Sequence, residues 1–340
     1  MSKTKKWAIL GTSFISGVMA EAIQAQGQST IYGVAGRNTI TLAEFASRYH
    51  IPHQFTDFDA LINDPEVDVV YIALPNHLHH EYIIKAAQAG KAILCEKSLS
   101  VDMQKTTASL EAIEQNKVFF LEGLMYLAHP LMQQLSHTLA SGKIGEIKSI
   151  RGQYCAAISQ FVNPASLGAL FNLGCYPASL VQLVMQQHFG TEQSQQYHIT
   201  ASTRYGQDGN ICESTAIISY RNGVQCHLHT AEDYGLHAGF TILGSLGSIE
   251  FGSNPWLPES QGNHFTVRLY EQKEDLVTVT AKGNGFYYQV EAVLNALATE
   301  QYIVPRPLAQ LADSVDIMKM LTTWHQAALK SCTANHTIKR

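Results

Sequence analysis

Two stretches near the N-terminus carry residues whose types and spacing suit a phosphorylated cofactor. The first reads Ile9-Leu10-Gly11-Thr12-Ser13-Phe14-Ile15-Ser16-Gly17 and lies between a short apolar run and an amphipathic stretch. In a G-x-G-x-x-G turn of this kind, backbone N–H groups and a helix N-terminus converge on a pyrophosphate. Gly11 falls on the first fingerprint glycine. Ser13 and Ser16 stand at the other two, small enough to keep the turn and able to donate to phosphate. Gly11, Thr12, Ser13, Phe14 and Ile15 are therefore the candidate pyrophosphate contacts, against the plainer reading of a βα turn that contains a glycine. The second stretch reads Val34-Ala35-Gly36-Arg37-Asn38. An acid there would accept from the ribose 2′-OH of NAD; Arg37 instead offers a planar cation for a 2′-phosphate, so NADP is expected ahead of NAD. His77, His79 and His80 have chelating spacings, but no set of acids or cysteines completes a site, and no metal is expected.

These residues need a scaffold, and the hydrophobic periods supply one. Trp7 to Leu10 reads as a strand, Ile15 to Ile23 as a helix and Ile31 to Ala35 as a strand. A helix over Thr41 to Tyr49 follows, then Asp57 capping Ala60 to Asn63, then Val69 to Leu74, apolar enough for a strand covered on both faces. His79 to Ala89 reads as a helix ended by Gly90, Lys91 to Cys95 as a strand, and Val118 to Leu121 as another. Between them Ser100 is expected to cap a helix through Asn116. Repeated β-α-β units predict a parallel, doubly wound Rossmann sheet over residues 1–124.

Beyond Leu124 the pattern changes. A helix near His129 to Ser141 leads into strands joined by Asp208-Gly209 and Asn222-Gly223, both hairpin signals. Val224, Cys226 and Leu228 alternate with Gln225, His227 and His229, the period of a half-buried strand. Further strands at Phe240 to Leu243, Ser248 to Phe251, Phe265 to Leu269 and Leu276 to Thr280 precede helices at Tyr287 to Glu300 and Leu308 to Lys330. Residues 125–340 are thus expected to form an α+β domain with a mainly antiparallel open sheet; an uncovered face of such a sheet predicts a homodimer.

A net charge of -5 gives no basic field, so neither nucleic acid nor a membrane surface is an expected partner, and a small polar metabolite is. Cys95, Cys155, Cys175, Cys212, Cys226 and Cys332 contain no C-x-x-C pair, which speaks for free thiols in a reducing cytoplasm. Lys3, Lys5 and Lys6 precede an apolar run too short for a signal segment, so a cytoplasmic protein is expected.

Residues 68–98 read DVVYIALPNHLHHEYIIKAAQAGKAILCEKS. Pro75, Asn76 and His79 form a strand-end P-N-x-x-H, Ala89-Gly90-Lys91 an A-G-K, and Glu96-Lys97 opens an E-K-P whose proline is Ser98 here. Glu122, Met125, Tyr126, His129 and Pro130 follow, then Asn172, Gly174 and Tyr176 on a D-x-G-x-Y pattern. In these motifs the chain resembles the glucose-fructose oxidoreductase, inositol dehydrogenase and rhizopine catabolism family, Gfo/Idh/MocA, over nearly its whole length. The resemblance implies an NAD(P)-dependent oxidoreductase of sugars, polyols or dihydrodiol-like alcohols, with Leu74, Pro75, Asn76, His79, Glu96 and Lys97 near the cofactor. It also implies that Tyr176 enters from the second domain toward a substrate in the interdomain cleft, with His129 and Asn172 as substrate-side candidates.

Hydride transfer needs a proton supplied or removed at the neighbouring oxygen. Within the resemblance, Tyr176 is the expected general acid/base and Lys97 its electrostatic partner, since a free tyrosine titrates near ~10 and an ammonium nearby favours the phenolate. Two departures stand out. Ser98 follows a bond that is usually cis before proline, and Asn172 replaces an acid. They keep open a dinucleotide-binding sensor without turnover; retention of Lys97 and Tyr176 together favours the enzyme. A histidine-based metallohydrolase is the weaker third reading.

Overall fold

The computed structural model describes residues 4–337, with side chains as far as Lys330; Lys3 and the side chain of Cys332 lie outside the described residues. Two compact units are present, Met1–Ala128 with Gly285–Ala312, and His129–Asn284 with Asp313–Arg340.

In the first unit the strands are β1 (Lys5–Leu10), β2 (Ser29–Ala35), β3 (His53–Phe55), β4 (Val69–Ile72), β5 (Ala92–Cys95) and β6 (Phe120–Glu122). They form one parallel sheet in the order β3-β2-β1-β4-β5-β6. Its helices are α1 (Phe14–Gln26), α2 (Thr39–Arg48), α3 (Phe58–Ile62), α4 (His79–Gln88) and α5 (Met103–Asn116). This is the doubly wound arrangement that the repeated β-α-β pattern predicts. Helices on both faces explain why β4 and β5 are apolar at every position, each residue being buried. Trp7 is fully buried because its indole N–H donates to Ser29 Oγ at 3.0 Å.

One local expectation needs correction, and one strand had no sequence signal. The cap of α5 is Asp102, whose carboxylate accepts from Lys105 N–H at 2.8 Å; Ser100 instead donates to the Asp102 carbonyl, also at 2.8 Å. An aspartate two residues on has the shorter reach to the orphan amides. Strand β3 has no apolar run to announce it, because it is a three-residue edge strand with its first two side chains exposed.

The second unit contains β7 (Ile147–Ala156), β8 (Tyr197–Tyr205), β9 (Ile211–Tyr220), β10 (Gln225–Ala231), β11 (Leu236–Gly244), β12 (Gly247–Phe251), β13 (Asn263–Leu269) and β14 (Asp275–Val279). Their order is β14-β13-β12-β11-β7-β10-β9-β8, antiparallel except for the β7–β10 pair. Helix α6 (Pro130–Ala140) precedes this sheet; α7 (Cys175–Phe189) and α8 (Thr191–Ser194) interrupt it after β7. Cys226 and Leu228 point inward with no exposure, as the alternation in β10 predicts. Helix α7 comes close to the sheet at Gly152, where a Cβ would stand 3.0 Å from Pro177.

Helices α9 (Gly285–Thr299) and α10 (Leu311–Thr337) close the chain. Helix α9 packs on α1 and on the turn Met125–Ala128, and Gly285 sits so tightly that a Cβ would meet the Met125 carbonyl at 2.9 Å. By compactness, residues 125–128 and 285–312 go with the first unit. Among the described residues no helix is long and apolar enough to cross a membrane.

Gly11 has φ +106°, and a Cβ there would lie 2.8 Å from the Ala73 carbonyl oxygen. Gly11→Ala is expected to cost about 2 to 3 kcal/mol through left-handed strain plus a backbone clash, read as a lower urea midpoint at unchanged m-value.

Candidate functional site

Parallel strands put all their carboxyl ends on one side of a sheet, so residues 11–16, 36–38, 73–79 and 96–99 of the first unit must converge. The turn after β1 is pinned by Gly11 N–H donating to the Ala35 carbonyl at 2.9 Å. Ser13 then begins α1 in extended conformation, its N–H donating to Ser16 Oγ at 3.3 Å with the two hydroxyls 3.1 Å apart. These serines hold the first turn of the helix together, while Phe14 stands out with 86% exposure. Gly17 lies inside the helix rather than in the turn, where a Cβ would collide with the Tyr49 hydroxyl. Its lack of a side chain serves helix packing.

After β2, Gly36 leaves room for Thr12, whose methyl would be 3.1 Å from a Cβ at that position. Asn38 caps α2 by accepting from Ile40 and Thr41 N–H groups at 3.0 and 3.1 Å, which leaves Arg37 exposed between the strand end and the helix. A depression of about 370 Å³ on the α1–α2 flank is lined by Ser13, Thr41 and Arg48, but also by Glu21 and Glu44, whose carboxylates make it a poor anion site.

Beyond β4, Leu74 and Pro75 lead into one 3₁₀ turn, Asn76–Leu78, and then α4. His79, fully buried, stands with Nδ1 2.7 Å from the Ser98 carbonyl and Nε2 2.7 Å from the Leu74 carbonyl. Burial pushes its pKa down to about 4, against the pull of the two carbonyls. A neutral ring carries one N–H, so one carbonyl at a time takes the hydrogen bond.

The Glu96–Leu99 loop is held from three further sides. Tyr71 donates to Glu96 Oε1 at 2.7 Å, Lys97 N–H donates to Glu96 Oε2 at 3.3 Å, and Leu99 N–H donates to Glu122 Oε1 at 3.0 Å. Burial raises the Glu96 carboxyl above its usual range, opposed by the Lys97 charge and by these hydrogen bonds. The Lys97–Ser98 peptide is cis, the geometry expected of the motif although serine has replaced proline. Lys97 itself is half-buried.

In the second unit Tyr176, buried near the start of α7, lies in an aromatic cluster: its ring is 5.2 Å from Tyr154 and 6.2 Å from Trp256, and Trp256 donates to the Gln153 carbonyl at 3.1 Å. Just ahead of α7, Leu170–Gly174 forms one turn of π-helix, an insertion that recurs at functional sites. Asn172 sits on it and donates through Nδ2 to Glu232 Oε2 at 2.7 Å. Burial pushes the Glu232 carboxyl up to about 7, with Asn172 pulling the other way and Asp208 and Asp233 adding to the rise. Sequence reasoning missed Glu232. Extending the inward phase of β10 from Cys226, Leu228 and Thr230 by two residues reaches it, a signal that stopped being followed at the strand end.

His129 is buried and caps α6, Nδ1 accepting from Leu131 N–H at 3.1 Å, so the ring proton belongs on Nε2. Burial lowers its pKa against hydrogen bonds to the Glu259 and Gly283 backbone. Cys95, Cys155, Cys175, Cys212 and Cys226 are free thiols and buried. Among the described residues no three His, Cys, Asp or Glu side chains gather where they would hold a metal.

The carboxyl-end surface of the first unit fits a dinucleotide. Gly11 keeps the strand end clear of side chain, a helix N-terminus opens directly beyond it, and Arg37 stands exposed at the next strand end.

Residues 5–124 match a family described as oxidoreductase family, NAD-binding Rossmann fold, and residues 132–250 match the GFO/IDH/MocA C-terminal domain. An uncharacterized oxidoreductase of Rhizobium meliloti is 30% identical over 74% of this chain and 75% of its own. A trans-1,2-dihydrobenzene-1,2-diol dehydrogenase of Xenopus tropicalis is 26% identical over 91% of this chain and 93% of its own. Among solved structures, a 3-ketoreductase from Actinomadura kijaniata in complex with NADP and TDP-benzene superposes with TM-score 0.84 at 21% identity, covering 96% of this chain and 98% of that one.

His79 binds protons less readily folded than unfolded, so between its unfolded value and about 4 its contribution to stability falls as pH falls. His79→Gln removes that dependence. Its deficit against wild type, followed by urea midpoints, is expected to narrow by about 3 kcal/mol on going from pH 6.5 to 4.

Proposed function

This chain belongs to the GFO/IDH/MocA oxidoreductase family, and we propose that it is an NADP-preferring dehydrogenase or reductase of a sugar-, polyol- or dihydrodiol-like substrate. The observation that carries this reading is the end of β2, where Gly36-Arg37-Asn38 presents an exposed guanidinium and no carboxylate beside the turn at Gly11. A dihydrodiol dehydrogenase among the relatives and a ketoreductase holding NADP among the structural neighbours support it.

A nicotinamide dinucleotide held here would supply the hydride chemistry, and the remaining tasks fall to this chain's own residues. The amides of Thr12, Phe14 and Ile15, with the Ser13 hydroxyl, would hold the pyrophosphate. Arg37 pairs with the 2′-phosphate. Leu74, Pro75, Asn76 and His79 shape the wall at the end of β4, and Glu96 fixes the backbone from which Lys97 projects. Lys97 polarises the substrate oxygen, Tyr176 gives or takes its proton, and Asn172 and His129 stand on the substrate side. We also assign a homodimer to the sheet face opposite α7, which carries Arg151, Gln153, His227 and Thr241. Residues 1–124 take the cofactor-binding role and 125–340 the substrate-binding and dimerising one.

Arg37→Ala is expected to weaken NADPH binding about 10- to 100-fold and NADH binding less than twofold in a fluorescence titration; equal loss for both cofactors would count against a 2′-phosphate contact. Tyr176→Phe is expected to lower kcat by about 10²- to 10⁴-fold with NADPH affinity unchanged, and near-wild-type turnover would remove Tyr176 from the acid/base role.

A further inference from the structure

We propose that Glu232 is a positioning residue: its carboxylate sets the orientation of the Asn172 amide one turn ahead of Tyr176, and its protonation releases that orientation. The inference rests on the oxidoreductase reading for its catalytic consequence. The juxtaposition itself is structural.

Glu232 is 2% exposed and its backbone is fastened on both sides, N–H to the Cys212 carbonyl at 2.9 Å and C=O to the N–H groups of Ile158 and Ser159 at 2.8 and 2.9 Å. The carboxyl group therefore stays inside, against the π-helical turn. There its partner is a neutral amide, Asn172 Nδ2 at 2.7 Å. The charged groups facing it are Asp208, from the β8–β9 turn, and Asp233, next in the chain; both repel a second negative charge. The nearby cation is already committed: Arg204 grips Asp233 through both terminal nitrogens at 2.7 and 2.8 Å and holds Glu213 through Nε at 2.8 Å.

A buried carboxyl with repelling neighbours and one amide donor exchanges its proton near neutrality, in line with the upward push that burial gives it. Ionised, the group only accepts, so it takes the Asn172 N–H and turns the amide oxygen the opposite way. Protonated, it carries an O–H that donates to the amide oxygen, and the amide can turn over. Asn172 alone has no titration. The pair does, and it shares the short stretch of chain that delivers Tyr176.

The side-chain amide ¹⁵N signal of Asn172, assigned by its loss in N172D, is to be followed against pH in the full-length protein, together with kcat/KM profiles of wild type and E232Q. The expected result is an Asn172 signal that titrates near pH 7 in wild type and not in E232Q. The kcat/KM of wild type is then expected to fall more than fivefold from pH 8 to 6, with E232Q flattening that limb while NADPH affinity stays within twofold. An Asn172 signal that does not move overturns the proposal whatever the activity. A wild-type pH profile in E232Q overturns its catalytic half. Failure of the wild type to bind NADPH or turn over any alcohol or ketone, with the amide still titrating, instead overturns the proposed function and leaves the Glu232–Asn172 switch standing.

Discussion

The first unit depends on the approach of two backbones beyond the last paired residues of β1 and β4. Ala73 N–H donates to the Leu10 carbonyl at 3.0 Å, and the space on the other side of that junction is so small that Gly11 can carry no side chain. This is the switch point of the sheet, with β2 and β3 running outward on one side of β1 and β4 to β6 on the other. A chain of short contacts runs from this junction to Lys97. Ala73 fixes Leu74, the Leu74 carbonyl faces the His79 ring, and the other edge of that ring faces the carbonyl of Ser98, next to Lys97. The turn that suits phosphate and the lysine that suits hydride chemistry are thus joined by four intermediates in short contact, with the single His79 N–H bonding one of its two carbonyls at a time. A loose strand end would leave Lys97 on a wandering loop, and about 1 Å of misplacement at a reacting group can cost two orders of magnitude in rate.

The second unit solves a related problem with different parts. Its central strands have a helix to carry, and the missing side chain of Gly152 lets the first turn of α7 come down onto β7. Aromatic rings fill the space around that contact: Tyr154, Tyr176, Phe240 and Trp256 lie with centroids 5.2 to 6.4 Å apart, tilted or edge to face. Trp324 too is buried whole, its indole N–H donating to Ser214 Oγ at 2.9 Å. Rigid rings bring large buried area with few torsions to freeze, so Tyr176 is held by packing before any ligand arrives.

Much of this was readable in the chain itself, for reasons that differ by element. The parallel sheet was legible because strands covered on both faces cannot be anything but apolar, as Val69 to Ile72 and Ala92 to Cys95 are. Hairpins at Asp208-Gly209 and Asn222-Gly223 were legible because a left-handed turn position selects for residues without a bulky Cβ. Legibility ended where three-dimensional neighbours replace local ones. The recruitment of α9 to the first unit depends on Gly285 meeting a carbonyl 160 residues earlier in the chain, at Met125. Glu96, Lys97 and His79 were found through motif spacing, but the Tyr71 bond to Glu96 spans 25 residues and has no spacing to betray it. Glu232 is the sharper case, since an acid after a strand ordinarily reads as a solvated turn, and only the inward phase of β10 contradicts that.

The distribution of charge explains why the titratable groups sit where they do. Ion pairs such as Arg268 with Glu250 and Lys6 with Glu66 lie on the solvated rim, where screening and side-chain entropy leave each of them little net effect. Glu96, Glu232 and His79, by contrast, are buried, and the direct partners of Glu232 and His79 are a neutral amide and backbone carbonyls. For a group whose only task is to stabilise, an apolar residue of the same size would serve as well or better, because desolvation takes back most of what a hydrogen bond contributes. Neutral partners have a different consequence: they leave the charge uncompensated, so the proton equilibrium moves away from its ordinary value and toward the working range in the case of Glu232. All three occupy strand ends or the helix that follows one, beside the residues suited to hydride chemistry. Burial without a counter-ion costs stability locally, and a fold that keeps Glu232 in this arrangement gains a group that can change protonation state there.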